Sequence, residues 1–247
     1  MKALVLRLDA PMMSFGGVMV DQHGVIDRFP GVALLTGLIA NALGWHHGDF
    51  GRLQALQGRL DFAARWDVQP EGGADYHTVD LGRTGMREPG WTTREVPEHR
   101  SGGSDAKYGI HQRYRDYWVD GLMTVVVTVD ESDGPSLDSI ENALRRPSRP
   151  LFLGRKTCLP ARPLLDATSP AIEGDNLVEI LCMVPIWNRD GEVTADDDPR
   201  ESCWPAEIDG KHPSELRRVH DLRDWANQLP SGSRERREGM LGGEGAA

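Results

Sequence analysis

The chain has 247 residues, of which 39% are hydrophobic and 27% charged, and a formal net charge of −10 at pH 7. This length suits one large domain or two small ones, and the composition is ordinary for a globular protein. Charged residues interrupt the short apolar run at the N-terminus, unlike a signal peptide, and no run approaches the roughly eighteen apolar residues of a membrane span. The three cysteines lack C-x-x-C spacing, which argues against a disulfide framework or zinc knuckle. We therefore expect a cytoplasmic protein without a membrane segment.

The first half of the chain predicts a strand, a helix and two further strands. Apolar and polar residues alternate over 4–9 and again over 60–67, which predicts two strands. Between them, segment 29–45 predicts a helix that Gly44 ends at the C′ position. The near-continuous valine run within 121–130 predicts a central strand buried on both faces.

The second half predicts a helix, a strand and a polar C-terminal region. Ser136 is the predicted N-cap of a helix that Pro147 ends, and residues 177–184 predict a last strand. The order β-α-β-β-α-β is the ferredoxin-like arrangement, so the expected fold class is α+β. We also predict a helix over about 214–229 and a disordered Gly-, Ser- and charge-rich tail over 230–247.

A long insertion interrupts the predicted ferredoxin-like domain, which we expect to span residues 1–189 before a C-terminal extension over 190–229. The insertion covers about 68–118, and connections of that length are usually functional or disordered. Between Asp75 and Trp118 it carries seven acids and seven Lys or Arg residues, so it is not a plain basic patch.

Residues 142–165 contain no acid and six cations, which are Arg145, Arg146, Arg149, Arg155, Lys156 and Arg162. Charge segregated in this way favours a local electropositive surface that holds a polyanion, with a solvated basic loop as the alternative. A turn at Gly154 lets backbone approach a phosphate closely, because no side chain intervenes. Arg155, Lys156 and Arg162 would then add charge to an RNA-binding loop.

The segment YGIHQRYRDYW, residues 108–118, interleaves cations with aromatic residues. Bases stack on aromatic rings while arginines pair with phosphates, so this pattern favours contact with RNA. The alternative is an amphipathic strand whose Tyr114 and Trp118 belong to the core. Because strand residues alternate between faces, we expect Arg113 and Arg115 on one side and Tyr114 on the other.

The start of the first predicted helix is a further candidate. Arg28 and Phe29 precede it, and free N–H groups at a helix N-terminus form an anion site. Met12, Ser14 and Phe15 follow the first strand and would line the same surface. Core packing is the alternative for both phenylalanines.

No cofactor or metal site is predicted. Cys158 lies among cations, which lower a thiol pKa, but no histidine stands beside it, and a small core residue is the favoured interpretation. His46 and His47 are adjacent and point apart, and the acidic run 196–198 is typical of a solvated loop.

Five segments occur in order along the chain: LRLDAPMMSFG, RFPGVALLTGLIANALG, YHTV, RYRDYW and LGRKTCLPARPL. Together they resemble the CasD (Cas-five) family of the type I-E CRISPR surveillance complex, Cascade, over roughly residues 3–165. The resemblance implies an RNA-recognition-like domain with a glycine-rich loop after its second helix. It also implies that the insertion forms an extended thumb.

The resemblance further implies a non-catalytic subunit that caps the 5′ handle of the guide RNA, beside a CasC-type backbone subunit and a CasA-type large subunit. Relatives often carry a small hydroxyl residue at the helix start, where this chain has GVALL, so Thr36 is the nearby substitute. The predicted RNA-binding residues are Ser14, Phe15, Arg28, Phe29, Thr36, Tyr76, His77, Tyr108, Arg113, Arg115, Gly154, Arg155, Lys156 and Arg162.

Two other functions compete with this one. Some Cas-five relatives process precursor RNA without metal, and such cleavage needs a base and charge-stabilising donors, for which Tyr76, His77, Lys107 and His111 are the candidates. The third interpretation is a protein–protein adaptor whose basic loop meets an acidic partner.

Overall fold

The computed structural model describes residues 1–17, 22–80, 110–130, 133–194, 198–208 and 212–242. The strands are Lys2–Asp9 (β1), Met12–Met13 (β2), His23–Gly24 (β3), Leu60–Val68 (β4), Glu71–Asp80 (β5), Ile110–Val119 (β6), Leu122–Val129 (β7), Ala171–Glu173 (β8), Arg200–Pro205 (β9), Ser214–Val219 (β10), Arg223–Asp224 (β11), Leu229–Pro230 (β12) and Arg234–Leu241 (β13). The helices are Val32–Ala42 (α1), Phe50–Arg59 (α2), Leu137–Arg145 (α3) and Leu177–Met183 (α4). Within these ranges no helix has the length and apolarity that a membrane span requires.

An antiparallel sheet of seven strands forms the body of the protein, in the order β10-β13-β9-β4-β7-β1-β8. Strand β7 lies near its middle, and every one of its residues is buried. Val127 pairs with Leu4 of β1 on one side and with Phe62 of β4 on the other. The predicted strands at 4–9, 60–67 and 121–130 are confirmed, and burial on both faces explains why β7 carries so few polar residues.

Helices α1, α2 and α3 cover one face of this sheet, where their apolar side chains join one core with β1, β4 and β7. The predicted end of α1 is confirmed, because Gly44 has φ +77° directly after the C-cap. The predicted cap of α3 is also confirmed, since Ser136 Oγ accepts a hydrogen bond from Ser139 N at 3.2 Å. The sequence analysis did not predict α2, which buries only Leu53 and Leu56 as large apolar side chains.

Helix α4 covers the opposite face, so the predicted strand at 177–184 is wrong. A largely apolar segment of eight residues is compatible with either a buried strand or a short helix. Asn176 decides for the helix, because its side-chain oxygen accepts hydrogen bonds from Val178 N and Glu179 N, each at 3.0 Å. Residues of α4 then pack on Val5, Val126 and their neighbours in the sheet.

The C-terminal region extends the sheet, so the predicted helix at 214–229 is wrong. Residues 214–219 pair antiparallel with residues 234–239, and residues 200–205 join that pair to β4. The predicted disorder is wrong for Arg234–Leu241, which forms β13, while 243–247 lie outside the described residues. Ion pairs between side chains of β10 and β13 accompany the pairing of these polar strands, including Arg217 with Glu238 at 2.9 Å.

Both ends of the insertion form the arms of one antiparallel hairpin. Strand β5 pairs with β6 in continuous register, from Glu71 opposite Val119 to Asp80 opposite Ile110. Strands β2 and β3 also pair with β6 and tie the hairpin to the body. Residues 81–109, including Lys107 and Tyr108, lie outside the described residues, as does the side chain of His111.

Candidate nucleic-acid interface

Several cations of the basic segment 142–165 bond to the chain itself. Arg149 donates to Trp45 O at 2.6 Å and to Gly44 O at 2.9 Å, so it satisfies carbonyls just beyond the end of α1. Arg145 pairs with Glu141 at 2.7 Å, one turn earlier on α3. The charge of this segment therefore serves the fold to a large extent.

Arg155 joins the loop after α3 to the base of the hairpin. Its Nη1 donates to Asp75 Oδ2 at 3.2 Å on β5, and its Nη2 donates to Asp116 O at 2.8 Å on β6. The guanidinium also lies over the ring of Tyr117, 5.5 Å from its centroid. Arg155 thus fixes the angle at which the hairpin leaves the body.

Arg162 is also held internally, whereas Lys156 faces solvent. The Nε of Arg162 lies 2.6 Å from Asp9 Oδ2, and its guanidinium is 5.5 Å from the ring of Trp187. Within the described ranges, Lys156 and Arg146 are exposed and form no ion pair.

Gly154 permits a close approach, but the approaching group belongs to the protein. The residue has φ +102°, and a Cβ there would overlap the carbonyl oxygen of Ser14. Ser14 N also donates to Leu153 O at 2.9 Å. The glycine therefore lets this loop pack on the segment after β1, and that side of it is closed to a phosphate.

The N-terminus of α1 is not an open anion site, so this prediction is wrong. Asp221 Oδ2 accepts from Val32 N at 3.1 Å, and the Asp221 carbonyl accepts from Ala33 N at 3.0 Å. Arg234 pairs with the same carboxylate at 2.8 Å. The C-terminal region thus supplies its own anion to the helix.

The predicted side chains around α1 are structural. Phe15, Phe29 and Thr36 are at most 1% exposed, so the alternative of core packing applies to both phenylalanines and Thr36 does not reach the surface. Arg28 pairs with Glu201 at 2.6 Å and lies about 5 Å from the ring centroids of Trp66 and Trp118. The burial of Phe15, Phe29 and Thr36 does not support their prediction as RNA contacts, whereas Arg28 remains partly exposed.

The hairpin presents an aromatic cluster formed by His23, Tyr76 and Tyr114. The rings of His23 and Tyr114 are nearly parallel at 8°, with centroids 5.0 Å apart, and Tyr76 lies 5.1 Å from Tyr114. Tyr76 remains 54% exposed. Such a cluster offers ring faces on which an unpaired base can stack.

Polar residues occupy the other side of the hairpin. Tyr76 lies opposite Tyr114 in the register, and the flanking pairs are His77 with Arg113 and Asp75 with Arg115. Because neighbouring residues alternate between faces, both arginines lie on the face opposite Tyr114, as predicted. His77 Nε2 is 3.7 Å from Asp75 Oδ2, and Arg115 is exposed.

Comparison with known proteins decides the family. The family model described as "CRISPR-associated protein (Cas_Cas5)" matches residues 3–238. The chain belongs to the Cas-five family. The match confirms the resemblance found in the sequence and extends it over the C-terminal strands.

This Cas-five chain is 30% identical over 176 residues to "CRISPR system Cascade subunit CasD" of Escherichia coli (strain K12), covering 68% of this chain and 71% of that protein. A solved structure titled "CRISPR RNA-guided surveillance complex" is similar with a TM-score of 0.65 and 22% identity, over 97% of this chain and 89% of that one. Another, titled "Crystal structure of Cas protein", gives a TM-score of 0.63 and 20% identity over 97% and 95%. The two structures show that the mixed α/β fold is shared along nearly the whole chain.

Of the four nuclease candidates, the structure describes the side chains of Tyr76 and His77. Tyr76 and His77 are neighbours on β5 and therefore face opposite sides of the hairpin. Lys107 and the side chain of His111 fall outside the described residues. Among the described residues, no group of three or more His, Cys, Asp or Glu side chains is placed to hold a metal ion.

The sequence analysis also missed a buried ionic network beneath α4. Arg7, which is 1% exposed, donates to Asp67 Oδ2 at 2.9 Å and to Asp166 Oδ2 at 2.8 Å. Arg65 donates to the same Asp67 carboxylate and to the carbonyls of Leu181 and Val184 at the end of α4. This network holds α4 on the sheet.

Burial and hydrogen bonding act in opposite directions on Asp166. Burial acts to raise its pKa, but hydrogen bonds from Ser169 N, Arg7 and Thr168 N outweigh burial and lower the pKa overall. Burial lowers the pKa of Arg7, against the effect of both carboxylates. No local sequence signal links Asp166 to Arg7, because the two residues lie 159 positions apart.

Proposed function

We propose that this Cas-five protein is a non-catalytic RNA-binding subunit of a Cascade-type CRISPR surveillance complex. It holds the 5′ handle of the guide RNA and bridges a CasC-type backbone subunit and a CasA-type large subunit. Membership of the Cas-five family and the similarity to a protein named as a Cascade subunit support this proposal.

The observation that carries the proposal is the exposed aromatic face of the hairpin. Tyr76 and Tyr114 pair across the two strands, and His23 stacks on Tyr114. Bases of single-stranded RNA stack on such rings. Arg155 keeps this face at a fixed angle to the body, which lowers the ordering cost of binding.

The topology of the central strands supports a ferredoxin-like, RNA-recognition-like domain. Strands β4, β7, β1 and β8 are neighbours in that order, with α1 after β1 and α3 after β7. This is the strand order of the β-α-β-β-α-β arrangement. The hairpin between β4 and β7 then takes the place of the proposed thumb.

The test uses the full chain assembled with CasC-type and CasA-type subunits on a guide RNA. Tyr76→Ala should weaken capture of the 5′ handle by about 5- to 150-fold, the loss expected for one stacked base. Phe50→Ala is the matched control, because Phe50 is 52% exposed on α2, away from the hairpin. Unchanged capture by the Tyr76 variant would overturn the hairpin assignment.

Cleavage is monitored in the same reactions. We expect repeat RNA to remain intact with and without magnesium. A discrete product that disappears in His77→Ala would show that the protein is a nuclease.

A further inference from the structure

A cleft of about 380 Å³ lies where β10 and β13 meet the loop before α1 and the base of the hairpin. Its lining includes Asp27, Arg28, Trp118, Arg217, Arg218 and His220. Trp118 belongs to β6, and its indole nitrogen donates to Asp27 O at 2.9 Å. The cleft is therefore continuous with the hairpin, although two of its walls come from the C-terminal strands.

The cleft carries an excess of positive charge at its rim. The side chains of Arg217 and Arg218 are 60% and 70% exposed, and His220 is exposed beside them. Glu238 accepts from Arg217 at 2.9 Å and also from Arg236 Nε at 3.1 Å, so one carboxylate serves two guanidinium groups. The other pair, Arg218 with Glu235, is long at 4.0 Å and exposed on both sides. Pairs of this kind contribute little to stability and leave the arginines available to another anion.

Asp27 gives the cleft an acceptor among these cations. Its backbone is fixed by Phe15 O and by Trp118, whereas its carboxylate forms no hydrogen bond or ion pair within the described parts of the chain. Burial raises the pKa of Asp27, against the opposing effect of Arg236. A donor brought by a ligand would satisfy this carboxylate.

We propose that this cleft binds one nucleotide of single-stranded RNA, with its phosphate on Arg217 and an amino group of its base on Asp27. Aspartate accepts from the amino group of cytosine, whereas uracil presents a carbonyl at the same position. This inference rests on the proposed function and adds the C-terminal strands to the RNA path.

The first experiment measures binding of the full chain to labelled single-stranded octanucleotides of cytidine and of uridine by fluorescence anisotropy. We expect the cytidine probe to bind about five- to tenfold more tightly, the discrimination of one good base contact. Asp27→Asn should abolish this preference and keep the overall affinity, because an amide offers both an acceptor and a donor. A preference that survives Asp27→Asn would overturn the base contact.

The second experiment removes the phosphate contact. Arg217→Ala should weaken both probes several-fold and reduce the logarithmic salt slope by about 0.7, for one phosphate. Arg146→Ala is the matched control, because it removes the same charge from the exposed surface near the end of α3. Equal losses in both variants would show a nonspecific charge effect and overturn the site.

Three further outcomes relate this inference to the proposed function. If Tyr76→Ala weakens the probes and Arg217→Ala does not, the cleft is wrong and the hairpin assignment stands. If wild-type protein binds neither probe, both fail. An oligoglutamate peptide that binds more tightly than RNA, and whose binding is lost in Arg217→Ala, would show a protein-docking site instead.

Discussion

Two arginine-rich segments of this Cas-five chain use their side chains in opposite ways. In the loop after α3, Arg149, Arg155 and Arg162 bond to carbonyls or carboxylates of distant segments. In the C-terminal strands, Arg217 and Arg218 project from β10 and stay more than half exposed. The first segment uses cationic side chains to hold elements together, and the second presents them to solvent.

Backbone hydrogen bonding explains the difference. A helix end and an irregular loop leave carbonyl oxygens without backbone partners, and a planar guanidinium satisfies two of them at once, as Arg149 does. Within a strand ladder the carbonyls toward the neighbouring strand are already paired, so side chains extend away from the sheet. This contrast applies to the edge strand β10, because Arg7 and Arg65 on the central strands β1 and β4 are buried beneath α4 and bond to the chain itself.

The largest effect is expected at Asp166, the first acid after the basic segment. Asp166→Asn removes one carboxylate from the buried Arg7 network and should lower the free energy of unfolding by about 3–5 kcal/mol. Chemical denaturation at pH 7 measures this loss. Asp175→Asn is the control, since Asp175 is an acid on the surface nearby.

The pH dependence of the free energy of unfolding tests the role of Asp166 independently. Because the folded pKa of Asp166 is lowered, its contribution is present above its unfolded pKa, near pH 4, and is lost as pH falls through the folded pKa. The wild type should therefore lose stability below about pH 4 more steeply than Asp166→Asn. Parallel curves would contradict the assigned role.

Local patterns explain which parts of the fold were predictable. The strands at 4–9, 60–67 and 121–130 have their own periodicity, and the helix starting after Ser136 has a local cap. The signals that decide these elements lie within a few residues of one another. Such elements are readable from one sequence.

Long-range pairing explains the errors. The apolar spacing of Leu216, Val219 and Leu222 imitates one face of a helix, but β10 is stabilised by β13, about twenty residues away. Likewise, Arg155 looked free for RNA because its partner Asp75 lies 80 positions away. The Asn176 cap, followed three residues later by Glu179, was the one local signal that would have identified α4.

The next largest effect is expected at Gly154, where the basic segment packs on the chain after β1. Gly154→Ala should cost about 2–4 kcal/mol, because φ is +102° and the new methyl group meets the Ser14 carbonyl. Gly48→Ala is the matched control, since nothing lies within 4 Å of a Cβ there. Thermal unfolding of both variants measures the difference in stability. Equal melting temperatures would show that Gly154 does not pack against the Ser14 carbonyl.

Arg155→Ala should have a smaller effect that is centred on the hairpin. The loss of two hydrogen bonds and of the Tyr117 contact should cost about 1–3 kcal/mol. Amide hydrogen exchange should accelerate around Asp75 and Asp116 in particular. Lys156→Ala, one residue further along, should change neither the free energy of unfolding nor the exchange rates. If the Arg155 and Lys156 variants gave the same results, Arg155 would not be holding the hairpin.

The smallest effect on stability is expected at Arg217, one of the exposed arginines of β10. Arg217→Ala removes one surface ion pair while Glu238 keeps Arg236, so the free energy of unfolding should change by less than about 0.5 kcal/mol. Arg236→Ala provides the contrast within the same strand pair, because Arg236 is 3% exposed and lies over the ring of Phe29. Its removal leaves a cavity beside Phe29 and should cost several times more. Urea denaturation of the two variants measures both changes, and a loss at Arg217 as large as that at Arg155 would mean that the C-terminal arginines also hold the fold together.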